Sequence, residues 1–175
     1  MYFSQLNKLV YFDATATPHQ TSKALVVTSG EIQKHIRVGK LHLQFDLYGQ
    51  YSSEESIIPL PAFAGKQTSY FEQWLVSKVL LMQLGYDVRY FTSYYAYAFM
   101  PATGVFYLQQ AEKQGNYPFV NAFVDFKLKR MHISVVGESL HTLLNGQLKK
   151  NYFTVYGYPL NEARIKVGLS WAFYD

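Results

Sequence analysis

The amino-acid sequence predicts an all-β chain, an antiparallel up-and-down transmembrane β-barrel with about eight strands in this stretch. Three observations carry that expectation. Apolar and polar side chains alternate in several segments, so the two faces of a strand differ in chemistry. The connections between those segments alternate between short and long. All six prolines fall in the long connections or at the first residue of a strand, where a sheet tolerates a missing amide donor.

The strands are read in order. Segments 2–12 and 22–33 come first, with polar residues blurring the alternation on both faces. Over 41–51, Leu41, Leu43, Phe45, Leu47 and Tyr51 alternate with His42, Gln44, Asp46, Tyr48 and Gln50. Segments 69–81 and 86–94 are again blurred. Over 120–129, Val120, Ala122, Val124, Phe126 and Leu128 alternate with Asn121, Phe123, Asp125, Lys127 and Lys129. Segment 132–143 follows. The last strand, 165–175, puts Ile165, Val167, Leu169, Trp171 and Phe173 on one face, and Lys166, Gly168, Ser170 and Ala172 on the other. A half-buried strand of a soluble sandwich shows the same alternation, so the connections must decide. Those at 33–39, 82–85 and 129–131 are short enough for hairpin turns, whereas 13–21, 52–68, 93–116 and 144–163 are long. Long and short connections therefore fall on opposite ends of the sheet, as in outer-membrane barrels with short periplasmic turns and long extracellular loops. No amphipathic helix, internal repeat beyond the hairpin, or linker is evident, and residues 1–175 read as a single barrel domain or the C-terminal segment of one.

Composition is compatible with this reading. Aromatics make up 18% of the chain, with 16 tyrosines, yet mean hydropathy is close to neutral. A barrel strand turns only alternate side chains toward lipid, and it collects aromatic rings at the membrane interfaces. Tyr2, Phe12, Tyr51, Tyr70, Tyr86, Tyr94, Tyr117 and Trp171 cluster toward proposed strand ends. No run approaches the roughly 20 apolar residues of a membrane-spanning helix. The net charge of +4 is scattered along the sequence, which argues against a nucleic-acid partner. Absence of cysteine excludes thiolate nucleophiles, cysteine-ligated zinc and disulfides. The segment 1–6 lacks the basic and apolar regions of a secretory signal.

Charged residues in proposed strands are the candidate functional positions. An Arg or Lys facing lipid near the midplane costs about 2 to 4 kcal/mol, so Asp46, Asp87, Arg89, Asp125, Lys127 and Glu138 are expected to face inward. His42, Gln44 and Asn121 join them by parity. In a wide barrel these residues line a water-filled pore; in a closed eight-stranded barrel they pair and fill the interior. The histidines His19, His35, His42, His132 and His141 form no metal-ligand spacing, and His132 and His141 would face opposite ways on a regular strand. The stretch Gly137-Glu138-Ser139-Leu140-His141 lacks the second glycine of a nucleophile elbow and reads as strand. No phosphate-loop, dinucleotide or zincin motif is present, so no enzyme activity, cofactor or metal is expected.

Several irregular stretches resemble the putative porins of Bacteroidetes outer membranes. They are Ile58-Pro59-Leu60-Pro61, Tyr94-Tyr95 followed by Met100-Pro101-Ala102, Gly104-Val105-Phe106-Tyr107-Leu108-Gln109, and Gly115-Asn116-Tyr117-Pro118. Phe126-Lys127-Leu128-Lys129-Arg130, Tyr158-Pro159 and the ending from Gly168 to Asp175 continue the series. They span roughly the last two thirds of the chain in the family's order, and the first forty residues match less obviously. The resemblance implies a pore-forming outer-membrane barrel passing small solutes, in a family longer than this chain and carrying a signal peptide. It implies no catalytic residues. It further implies that the aromatic ending, Ile165 to Phe173, is read by the barrel-insertion machinery through strand pairing. A structural, anchoring eight-stranded barrel is the alternative function, and the oligomeric state is left open.

Overall fold

The computed structural model describes residues 1–144 and 153–173. In chain order the strands are β1 (Tyr2–Leu6), β2 (Val10–Phe12), β3 (Pro18–Gln20), β4 (Leu25–Val38), β5 (Leu41–Ser52), β6 (Phe63–Val76) and β7 (Leu80–Phe91). They continue as β8 (Ala98–Met100), β9 (Val105–Tyr107), β10 (Phe119–Leu128) and β11 (Met131–Glu138). After the helical turn α1 (His141–Leu144) come β12 (Phe153–Val155), β13 (Tyr158–Pro159) and β14 (Arg164–Trp171).

Among the described residues, eight of these strands form one sheet in the order β1-β4-β5-β6-β7-β10-β11-β14, with β1 and β14 as unpaired outer edges. Every neighbouring pair is antiparallel, so the sheet is the up-and-down arrangement of a barrel wall. The remaining strands make three small hairpins, β2-β3, β8-β9 and β12-β13, all inside the long connections. Short turns need a residue with positive φ to match the twist of the flanking strands. Gly39 (φ 60°), Lys78 (φ 57°) and Lys129 (φ 51°) supply it at the three short ends.

Register carries the alternation across the sheet. Val124 lies opposite Leu84 on one side and Val135 on the other, and Val135 lies opposite Val167. Phe126 likewise sits between Met82 and Ile133, with Leu169 beyond. Directly opposed residues share a face, and the result is a continuous apolar face. That face is uncovered: Ile165 is 76%, Val167 73% and Leu169 68% exposed.

Several expected boundaries shift. The first strand, expected over 2–12, breaks into β1 and β2, and β2 leaves the sheet to pair with β3. β4 runs on to Val38, so the turn lies at Gly39-Lys40 and not over 33–39. β6 begins at Phe63, and the 82–85 turn does not exist; the reversal lies between Val76 and Leu80. Gly85 is inside β7, and it is glycine there because a side chain would collide with Ser69 O at 2.4 Å, Tyr70 Cβ at 2.6 Å and Phe123 Cζ at 2.7 Å. The segment expected as strand over 132–143 stops at Glu138 and ends in α1.

The long connections build their own packed layer. Several of the most buried side chains of the described residues are there, not in the sheet: Ala96, Ala98, Gln109, Gln114 and Tyr117. The segment between β7 and β10 ties this layer together. Leu108 N donates to Phe12 O (2.9 Å) and Tyr156 N to Tyr97 O (3.4 Å), and the Tyr97 hydroxyl donates to Ile57 O (2.8 Å). Burial pushes the Tyr94 and Tyr97 phenols upward in pKa.

Candidate functional site

Parity on the strands places the ionisable side chains. Working outward from β10, Asn121 is opposite Asp87, Asp125 opposite Gln83, and Lys127 opposite Leu81. Asp87 is opposite Thr68, Gln83 opposite Glu72, and Arg89 opposite Lys66. Lys66 is opposite Asp46, and Thr68 opposite Gln44. On the other flank, Lys127 is opposite His132 and Asp125 opposite Ser134, while Glu138 is opposite Arg164. His42, Gln44, Asp46, Asp87, Arg89, Asn121, Asp125, Lys127 and Glu138 therefore share one polar face. Glu31, Arg37, Lys66, Glu72, Arg164 and Lys166 share it too. Within the eight strands Lys34 is the charged exception: it stands opposite Phe45, between Ile32 and Ile36, where its long stem can carry the ammonium to the polar boundary.

Ile165, Val167, Leu169 and Trp171 lie together on the apolar face, opposite Gly137, Val135, Ile133 and Met131. Phe173 follows the end of β14 with its ring stacked on Trp171, centroids 6.1 Å apart.

Toward the long connections the polar face is internally paired. The Asn121 amide donates to both Asp87 carboxylate oxygens (3.2 and 3.3 Å), and its carbonyl accepts from Ser139 N (3.0 Å). Arg164 Nε and Lys166 Nζ donate to Glu138 at 2.9 and 2.7 Å. Above them Phe91, Tyr117 and Phe119 pack as a cluster with Leu160, and Gly115 (φ 102°) lies so close that a side chain would meet the Phe91 ring at 2.7 Å. The loop layer therefore sits on the polar side of the sheet at this end. Gln109 stitches it, its amide donating to Ala96 O and Glu112 O while its carbonyl accepts from Ala111 N and Glu112 N.

Toward the short turns the arrangement differs. His42, only 5% exposed, stacks on Tyr70 with centroids 4.6 Å apart. Its Nδ1 lies 3.1 Å from His35 Nε2, and its Nε2 lies 3.9 Å from Glu72. Beside it Glu72, Leu81, Gln83, Asp125, Phe126, Lys127 and His132 line a cavity of about 350 Å³. Glu72 and Gln83 fall outside the expected set of site residues. The signal for them was parity with Tyr70 and Asp87 once the true β6-β7 turn is known.

Among the described residues no group of three His, Asp or Glu side chains could hold a metal ion. Ser139 sits, against expectation, in a strand-to-helix turn with φ 56°, and the nearby His141 Nδ1 accepts from Val120 N at 3.2 Å. Among the described residues no helix is long and apolar enough to cross a membrane, which says nothing of crossing by strands.

Neither a curated protein nor a solved structure matches the chain. A family described as "Putative porin" matches residues 1–175, including the first forty. With an antiparallel sheet in barrel order, apolar on one face and ionisable on the other, the chain belongs to that porin family.

Proposed function

We propose that this chain forms the wall of a water-filled outer-membrane pore that passes small solutes by passive diffusion, as in the Bacteroidetes porins it resembles. The observation that carries the reading is the sorting of charge. Asp, Glu, Arg and Lys side chains from seven strands share one face, and Lys34 alone in those strands departs from it. A soluble sheet with a solvated face has no need to leave the opposite face both charge-poor and uncovered, whereas lipid rewards that sorting at each strand. His42, Gln44, Asp46, Asp87, Arg89, Asn121, Asp125, Lys127 and Glu138 then line the lumen, and Ile165, Val167, Leu169, Trp171 and Phe173 meet outer-membrane lipid. The free edge of β14 is the segment that the insertion machinery would pair with during assembly. Long connections face the exterior and short turns the periplasm.

A second reading is a small closed barrel with an anchoring role in a surface complex. Eight strands in sequential order are the number at which side chains fill a barrel interior. Planar-bilayer recording separates the two: stepwise conductance is expected of a pore, and silence favours the anchor. A single Cys at Gly104 is expected to label from outside intact cells and one at Arg130 is not; the reverse pattern overturns the orientation.

A further inference from the structure

The cavity near the short turns carries opposite charges that do not neutralise each other. Glu72, Gln83 and Asp125 are directly opposite one another across β6, β7 and β10, which sets the two carboxylate-bearing backbones roughly 10 Å apart with the Gln83 amide between. Gln83 donates to Glu72 Oε2 at 2.7 Å. The other Glu72 oxygen faces His42 Nε2, a buried nitrogen without a hydrogen-bond partner among the described residues. Asp125 and Lys127 are two positions apart on one strand, so their side chains rise side by side about 7 Å apart. Neither they nor His132 is hydrogen-bonded or ion-paired among the described residues. This contrasts with Asp87 and Glu138 farther along the same strands, where every carboxylate oxygen has a donor.

We propose that this cavity is a binding site for a zwitterionic amino compound, a free amino acid or dipeptide. The ammonium would sit between Glu72 and Asp125, and the carboxylate against Lys127 and His132. A simple anion would satisfy Lys127 but meet two carboxylates, and a simple cation would satisfy the carboxylates and leave Lys127 unpaired. One short molecule bearing both charges answers the charged part of the lining, and its charge-assisted hydrogen bonds are the strong kind. Leu81 is an apolar part of the lining, compatible with a small side chain. As a transport property the proposal rests on the pore reading; as a binding site it does not.

The test uses the full-length protein extracted from membranes, with glycylglycine as probe and uncharged N-acetylglycinamide as control. In planar bilayers glycylglycine is expected to interrupt the current saturably and the control not. Asp125→Asn and Lys127→Gln are each expected to weaken that effect about tenfold or more, and Lys127→Arg to retain most of it. Equal interruption by both solutes, or no change in either variant, overturns the site while leaving the pore. If no current flows, the pore reading fails, and calorimetric titration of glycylglycine in detergent decides the site: binding lost in Asp125→Asn supports it, and absence of binding overturns it.

Discussion

Near the long connections the polar face is closed upon itself, and near the short turns it is open. At the first end Asp87 is held by Asn121 and Glu138 by two cations, under a loop layer whose Ala96, Ala98 and Gln114 are more buried than most of the sheet. At the second, Asp125, Lys127 and His132 surround a cavity. Both ends use the same strands and the same alternation. The difference separates two properties: sorting charge to one face, which both ends share, and pairing that charge, which only the first does. Where side chains pair they hold structure; where they stay unpaired around a cavity they would, in the proposed pore, remain available to a solute. Substitutions should therefore cost stability at the first end and solute handling at the second.

The sharpest way to break this comparison is Gln109→Ala. The side chain is buried and makes four hydrogen bonds to backbone groups of its own loop. Removing it leaves the buried Ala96 carbonyl without its donor, at about 1 to 3 kcal/mol, and frees the part-buried loop groups of Ala111 and Glu112 from the contacts that order them. A loss of about 3 kcal/mol is expected, read as protease sensitivity of the loops with the sheet intact by circular dichroism. Unchanged protection would mean that the layer is not held as a unit.

Gly85→Ala probes the boundary between the two ends. The added methyl meets Ser69 O and Tyr70 Cβ in addition to the Phe123 ring, and backbone cannot step aside as a flexible tip can. Overpacking of this kind costs about 1 to 3 kcal/mol, measured by urea unfolding in detergent. Phe123→Leu in the same chain is expected to recover only part of it, because the backbone clash remains.

His141 offers a pH test confined to the loop layer. Burial holds its imidazole below the ordinary histidine value of 6.5, so the folded layer keeps it neutral while an unfolded chain protonates more readily. Between the folded value and 6.5 the unfolded state binds more protons, and stability rises with pH there. It is level above that window and is lost progressively as pH falls through it. The hydrogen-exchange protection of the Val120 amide, which donates to His141, should fall toward pH 5 once the intrinsic pH dependence of exchange is divided out. In His141→Gln that loss of protection should vanish; its persistence would assign the effect elsewhere.

What the sequence made legible follows the same divide. β5, β10 and β14 were readable because one face of each is wholly apolar, so parity alone fixed Asp46, Asp125 and Lys127 to the other. The β6-β7 region was not, because Gln67, Ser69 and Gln73 interrupt its apolar face and Gly85 looks like a turn residue. Its reason for being glycine is the close approach of Ser69 O, Tyr70 Cβ and the Phe123 ring, all on neighbouring strands. The placement of Glu72 and Gln83 went with it. The loop layer was illegible for a related cause: Gln109 and Gln114 are polar residues in a Pro-containing connection, and only the folded backbone around them shows that they are buried.

The smallest expected effect on stability is also the most discriminating. Asp125→Asn changes a side chain with no partner among the described residues, partly buried, at a position where Gln83 and Ser134 stand opposite on either side. No hydrogen bond is broken, the volume is nearly unchanged, and the amide is as compatible with a hydrated polar face as the carboxylate. Unfolding midpoints should move by no more than about 0.5 kcal/mol equivalent. Glu138→Gln, by contrast, weakens two charge-assisted bonds from Arg164 and Lys166 at the β11-β14 seam, and should lower stability measurably more. If Asp125→Asn proves the costlier of the two, the carboxylate is part of the fold, and the division between a paired structural end and an unpaired functional end does not hold.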